Sequence, residues 1–227
     1  MGPQRVGRVV YAPAAFLFVG LALFAWPAAA QDWDQEVWLD QRFSFRLSPL
    51  TFLRIRLLQG ADDNVSRLHD AYFELEVGFH ARPWLTVMPG FRHDRLDPFG
   101  PNSRFENRPQ LAILLQTSKG RWRPNLRFLF EGRFLRNEPG FLRFLPQPGV
   151  EYTLSAYKNR PLVLYLVNEF AFDSRTDRYS RNRFQVGMSL PATPRFSIIP
   201  YYMMESNRLP GLWDHDNVWG LSFWWRL

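Results

Sequence analysis

The chain has 227 residues, 28 lysines and arginines against 21 acids, and no cysteine. Its length suits one domain, or one small barrel behind a leader, and the missing cysteines exclude a disulfide framework. A formal charge of +7 would ordinarily raise nucleic acid as a partner, but the bases are spread singly through the chain, so none is expected.

Arg5 and Arg8 precede an apolar run from Val9 to Trp26, and Ala28-Ala29-Ala30 follows. A basic region, an apolar region and a small-residue cleavage site in that order predict a signal peptide over 1–30 and an exported domain over 31–227. An uncleaved anchor is the competing reading, which Pro13, Gly20 and Pro27 disfavour. Beyond the leader no apolar run reaches the ~18 residues that a transmembrane helix needs. A membrane could be crossed only with strands.

From Asp34 to Leu47, Val37, Leu39, Phe43 and Phe45 share one face, and Asp40, Arg42, Ser44 and Arg46 the other. A period of two is a β-strand with one apolar side. Ser48-Pro49 turns the chain into a second strand with Leu53, Ile55 and Leu57 against Arg54 and Arg56. After a polar loop at 59–66, Ala71 to Phe79 alternates again. The strand from Trp84 to Asp94 contains Pro89, which cannot donate to a ladder, and a bulge is predicted there. Beyond the loop 95–103, Arg104, Glu106, Arg108 and Gln110 oppose Phe105, Leu111, Ile113 and Leu115. The next strand sets Leu126, Phe128, Phe130 and Phe134 against Arg127, Glu131 and Arg133, and Phe141 to Leu154 repeats the scheme despite Pro146 and Pro148. Leu162 to Phe172, a strand around Arg181 to Leu190, and Arg195 to Glu205 follow. After a loop at 206–214 the chain ends on Val218 to Leu227, an aromatic-rich strand of the kind that closes an outer-membrane barrel.

Eleven strands are predicted by this reading. Bacterial barrels usually have even numbers, which predicts ten or twelve, with one strand split, missed or outside the wall. The odd-numbered connections are tight and carry Pro or Gly; those after the second, fourth, eighth and tenth strands are longer and polar, as periplasmic turns and external loops would be. The connection over 137–140 is short for that pattern. A soluble β-sandwich also alternates, but strands of 10–14 residues, aromatics such as Trp84, Trp122, Phe196 and Trp225 at strand ends, and mid-strand Arg and Glu on one face only favour an all-β, antiparallel transmembrane β-barrel of 10–12 strands.

Asp34 to Leu58, Glu106-Asn107-Arg108-Pro109, the strand Arg127 to Arg133, Asn168-Glu169-Phe170, Asn182-Arg183-Phe184 and Asn217 to Leu221 resemble the bacterial family catalogued as domain of unknown function 2490. The resemblance covers most of the chain beyond the leader. It implies an exported outer-membrane β-barrel and carries no activity with it.

On the barrel reading, Glu74, Glu76, Arg104, Glu106, Arg108, Arg127, Glu131, Arg133, Arg143, Glu151, Glu169, Arg181 and Arg183 line one interior. Eight strands leave a bore filled by side chains and ~16 leave a channel, so a charged network that plugs the bore is predicted. Three of the four histidines sit beside acids, as His69-Asp70, His93-Asp94 and Asp214-His215-Asp216. Neighbours on a strand face opposite sides, so a hydrolytic site would combine His93 or His215 with acids such as Asp94 or Asp216 from other strands. The expected function is structural, a narrow solute passage or surface interaction; the alternative is a hydrolase at the external rim or lipid edge, acting on lipid A or peptide. A soluble periplasmic carrier of hydrophobic ligands is a third class. Arg67, Arg95, Arg104, Arg175 and Arg178 could clasp lipopolysaccharide phosphates. No cofactor or metal is expected; Asp62, Asp63, Asp97, Asp214 and Asp216 are oxygen ligands without a calcium-loop spacing. The expected setting is the bacterial outer membrane, as a monomer among lipid and lipopolysaccharide, inserted with the barrel-assembly machinery.

Overall fold

The computed structural model describes residues 34–227 except 63–65, 99–102, 137, 158–159, 176–177 and 210–211; the side chains at 34 and 155–157 are likewise outside it. The signal peptide expected over 1–30 lies outside the described residues. Eleven strands form one closed barrel. They are β1 (Asp34–Arg46), β2 (Thr51–Asp62), β3 (Arg67–Arg82), β4 (Leu85–Leu96), β5 (Arg104–Gln116), β6 (Trp122–Leu135), β7 (Phe141–Tyr157), β8 (Arg160–Asp173), β9 (Arg178–Thr193), β10 (Phe196–Leu209) and β11 (Leu212–Arg226). All eleven join the wall, so the expectation of an even number is corrected, while the range of 10–12 holds. In an up-and-down meander an odd count makes the first and last strands run the same way. The barrel therefore closes through a parallel pair, β1 with β11, from Asp34↔Asp216 to Ser44↔Arg226, whereas every other seam is antiparallel.

Parallel ladders are slightly less stable per residue than antiparallel ones. Side chains reinforce this seam along its length. The Trp219 indole donates to Gln35 Oε1 at 3.1 Å, Ser222 Oγ donates to Asp40 at 2.8 Å and the Trp224 indole donates to Ser44 Oγ at 3.0 Å. Phe43 stacks on Trp225 with ring centroids 4.8 Å apart.

Alternation sorts the wall into two faces. Asp40, Glu74, Glu76, Asp94, Glu106, Arg108, Glu131 and Glu205 are buried, hence inside, whereas Phe73, Val77, Phe91, Phe105, Phe130, Phe134 and Phe184 are among the exposed large apolar residues. Aromatics gather at both ends. Trp122 packs on Tyr152 and Phe196 on Trp225 near the tight turns, and Tyr179 packs on Trp213 at the opposite end. Inside, Tyr201 lies over Gly220 and Tyr165 over Gly187, each across one strand pair. A Cβ on Gly220 would fall 1.8 Å from the Tyr201 ring, so only glycine admits that ring there.

Prolines within strands shape the seams more than expected. Pro89 makes no bulge; pairing passes from Glu76↔Gly90 to Phe79↔Val87 in unchanged register, with the residues between them unbridged, and the irregularity of that pair lies at His80/Arg82. The missing proline N–H interrupts the ladder without inserting a residue. The same happens beside Pro109 between β5 and β6, beside Pro146 and Pro148 between β7 and β8, and beside Pro200 between β9 and β10.

The tenth connection also differs from expectation. Residues 206–214 are largely strand, with Ser206↔His215, Asn207↔Asp214, Arg208↔Trp213 and Leu209↔Leu212 paired, so β10 and β11 form one long hairpin. Polarity there marks strand ends that extend past the apolar band, where one face no longer needs to be apolar, so a polar stretch does not by itself mean a loop.

Candidate functional site in the barrel bore

The inward side chains come from all around the barrel, and three carboxylate hubs organise them. At the closing seam, Asp40 is fully buried and accepts from Arg42 at 2.5 Å, from both Nε and Nη2 of Arg56 at 3.0 and 2.9 Å, and from Ser222. The pair spacing that puts Asp40 and Arg42 on one face of β1, and Arg54 and Arg56 on one face of β2, is enough to bring these groups together across the sheet.

The second hub bridges the bore. Glu76 on β3 accepts from Arg54 on β2 at 3.0 Å and from Arg127 on β6 at 3.0 Å. Because β3 and β6 are not neighbours, the Arg127–Glu76 pair spans the interior. Arg127 continues to Gln147 at 3.1 Å, Gln147 donates to Glu169 at 2.5 Å, and Glu169 accepts from Arg181 at 2.7 Å. Arg183 donates to Glu205 at 2.5 Å, carrying the chain to β10.

The third hub joins Asp94 and Glu106. Arg108 lies 2.9 Å from Asp94 and 2.7 Å from Glu106, Arg92 pairs with Asp94, and Arg133 pairs with Glu106. The Arg92 guanidinium also stacks 3.5 Å from the centre of the Tyr72 ring, a cation–π contact in a place screened from bulk water. Apolar layers fill the space between hubs: Trp38, Leu58, Tyr72, Tyr201, Met203 and Val218 form one cluster, and Met88, Ala112, Leu129, Leu145 and Ala171 another. A cavity of about 280 Å³ persists among Arg42, Arg56, Glu74, Arg92, Glu131 and Arg183.

The residues assigned to the bore from sequence fall as follows. Glu74, Glu76, Arg108, Arg127, Glu131, Glu169, Arg181 and Arg183 line the cavity, and Glu106, Arg133 and Arg143 lie on the same inward face. Arg104 instead sits exposed at the loop rim against Glu138 at 3.4 Å, and Glu151 pairs with Arg123 at 3.2 Å toward the tight-turn end. Asp40, Arg42, Arg54, Arg56, Arg92 and Glu205 are members that were not singled out, although the same alternation places them inside.

The histidine candidates are held apart. His93 bonds Asn107 at 2.8 Å and stacks on Phe105 on the outer face, while Asp94 is buried inside. His215 lies 2.9 Å from Ser206 Oγ, its partner across the β10–β11 hairpin, and Asp216 accepts from Asn207 at 3.3 Å. His69 is 3.1 Å from Asp62, across β2 and β3, and not on Asp70. Among the described residues no group of His, Asp and Glu is arranged to hold a metal.

At the loop rim Arg104 and Arg175 share Glu138, each at 3.4 Å and each more than half exposed. Arg67 pairs with Asp62 at 2.9 Å, and Arg95 donates to Ser103 at 3.3 Å.

Compared with known families, residues 35–216 match the one described as protein of unknown function (DUF2490). No curated protein and no solved structure matches the chain.

Proposed function

The chain belongs to that family, and we propose that it is an outer-membrane barrel whose bore is closed by ion pairs and which works at the cell surface through its basic rim. One observation carries this reading: the wall is inside out relative to a soluble barrel, with charges buried within and large apolar side chains exposed without. In water that arrangement would leave a continuous apolar belt unburied, whereas lipid covers it and the closed ladder leaves no edge in hydrocarbon. Trp213 and Trp225 on β11 are separated by about 40 Å of strand at ~3.3 Å per residue. Tilted by ~40°, that separation is about 30 Å across the membrane, close to the hydrocarbon thickness. The Arg127–Glu76 bridge across the bore argues for a plug over an open pore, and two arginines on one carboxylate at the rim leave positive charge for lipopolysaccharide phosphates.

Cell fractionation with heat-modifiable electrophoresis tests the setting. Recovery in the outer membrane with a mobility shift on boiling is expected, and a soluble periplasmic protein would overturn the reading. Planar-bilayer recording tests the plug, for which porin-like conductance would be fatal.

A second reading, a lipid-edge hydrolase, is favoured by the Ser206–His215 contact on the outward face of β10 and β11. It ranks lower because Ser206 is buried and alternation turns Asp214 and Asp216 to the other face. Loss of lipid ester hydrolysis in both Ser206→Ala and His215→Ala would raise it; no hydrolysis by the wild type would remove it.

A further inference from the structure

The β5–β6 seam is unbridged beside Pro109, between Asn107↔Phe134 and Gln110↔Glu131, whereas the β6–β7 ladder is continuous. At this place the wall carries a cavity of about 840 Å³, within the range of small-molecule sites. Its outer lining is apolar, with Leu111, Phe130, Phe144 and Phe172, and its back is formed by inward residues of the same strands, Gln110, Glu131 and Arg143. Gln110 and Glu131 are 7% and 5% exposed. Neither amide atom of Gln110, nor Glu131 Oε2, nor Arg143 Nε has a hydrogen-bond partner, although buried polar groups are nearly always satisfied. Unsatisfied donors and acceptors thus sit on three adjacent strands at the edge of the gap beside Pro109, where apolar surface leads in from the outside.

We propose that this gap in the wall binds a single-chain amphiphile with an uncharged, hydroxyl-bearing head, its chain on the phenylalanines and its head on Gln110, Glu131 and Arg143. A hydroxyl suits these groups because it can donate to Glu131 Oε2 or Gln110 Oε1 and accept from Gln110 Nε2 or Arg143 Nε. The charges lining the cavity, Glu131 and Asp173 against Arg143 and Arg178, offset one another. Arg143 is already engaged with Asp173 at 3.1 Å and Arg178 is exposed, so a phosphate or carboxylate head seated on Gln110 would face Glu131 with no buried positive charge left to it. Supply of the amphiphile from the surrounding leaflet rests on the membrane reading above.

The test is native mass spectrometry of the folded barrel in dodecylphosphocholine, whose head has no hydroxyl, titrated with 1-monooleoylglycerol, oleate or oleoyl lysophosphatidylglycerol. One retained monooleoylglycerol per barrel is expected, with the two anionic probes bound at least tenfold more weakly. Gln110→Leu removes unsatisfied atoms and should fold normally while weakening monooleoylglycerol at least tenfold. Gly132→Leu places a side chain beside Phe134 and Pro109, whose ring atoms lie 3.1 and 3.6 Å from a Cβ there, and should block the gap. Equal binding of all three probes, or an unchanged affinity in both variants, would overturn the site. Heat-modifiable mobility of the same samples keeps the two readings apart: a detergent-folded barrel that retains no monooleoylglycerol refutes only this site, and a barrel soluble without detergent refutes the membrane setting.

Discussion

Replacing Asp40 by Asn keeps its shape and removes its charge at the one place where the barrel closes on itself. Arg42, Arg56 and Ser222 all donate to this carboxylate, so the variant leaves two guanidinium groups without their counter-ion. Breaking a buried pair from one side typically costs ~3–5 kcal/mol. The Arg42 and Arg56 side chains keep 30% and 25% of their exposure to the bore, which puts the expected loss at the lower end, about 3 kcal/mol, after screening. With a urea slope of ~1–3 kcal/mol/M, the unfolding midpoint should fall by about 1–3 M at unchanged slope. Tryptophan fluorescence in micelles, checked by heat-modifiable mobility, reads it. Removing Arg56 in the same chain should recover part of the loss, with Asp40→Asn and Arg56→Met coupled by at least ~1 kcal/mol. A loss below ~1 kcal/mol for Asp40→Asn, or strict additivity of the pair, would refute the view that this hub holds the parallel seam.

Three further outcomes follow from the same geometry. Glu106→Gln, which strips the acceptor from Arg108 and Arg133 inside the barrel, should lower stability by about 3 kcal/mol, while Glu138→Gln at the exposed rim should stay within ~0.5 kcal/mol; matching urea curves for the two would contradict the burial argument. Gly220→Val forces the Tyr201 ring off its site and should cost at least ~1–3 kcal/mol as overpacking, readable as lost folded yield, whereas Tyr201→Ala in the same chain should restore part of it. Arg104→Ala with Arg175→Ala should weaken lipopolysaccharide binding and flatten its salt dependence without moving the unfolding midpoint; an unaltered salt profile would count against a role for the rim.

Alternation made most of the wall legible. In β3, Tyr72, Glu74 and Glu76 against Phe73, Leu75 and Val77 states both the strand and its two faces, because side chains on a strand must alternate. The same rule places the inward residues before any contact is known. Who meets whom is another matter. Arg127 reaches Glu76 over 51 positions and Ser222 reaches Asp40 over 182, and no local pattern encodes separations of that size. The His–Asp neighbours drew attention in sequence because they were adjacent, yet adjacency on a strand separates them across the wall; the partners His215 and Ser206 emerged only from the register of a hairpin that read as a loop.

The residues alone therefore settled the all-β class, the strand range and the sidedness of the wall, since period and length are properties of each segment by itself. Three features waited for the closed structure. The odd strand count became admissible once β1 and β11 paired in parallel, which depends on both ends of the chain at once. Pro89, Pro109, Pro146, Pro148 and Pro200 each had a missing donor in the sequence, but only the neighbouring strand decides that the result is a gap in unchanged register instead of a bulge. The charged interior became bridged across the bore because curvature brings non-adjacent strands within reach of an arginine, and curvature is a property of the whole barrel.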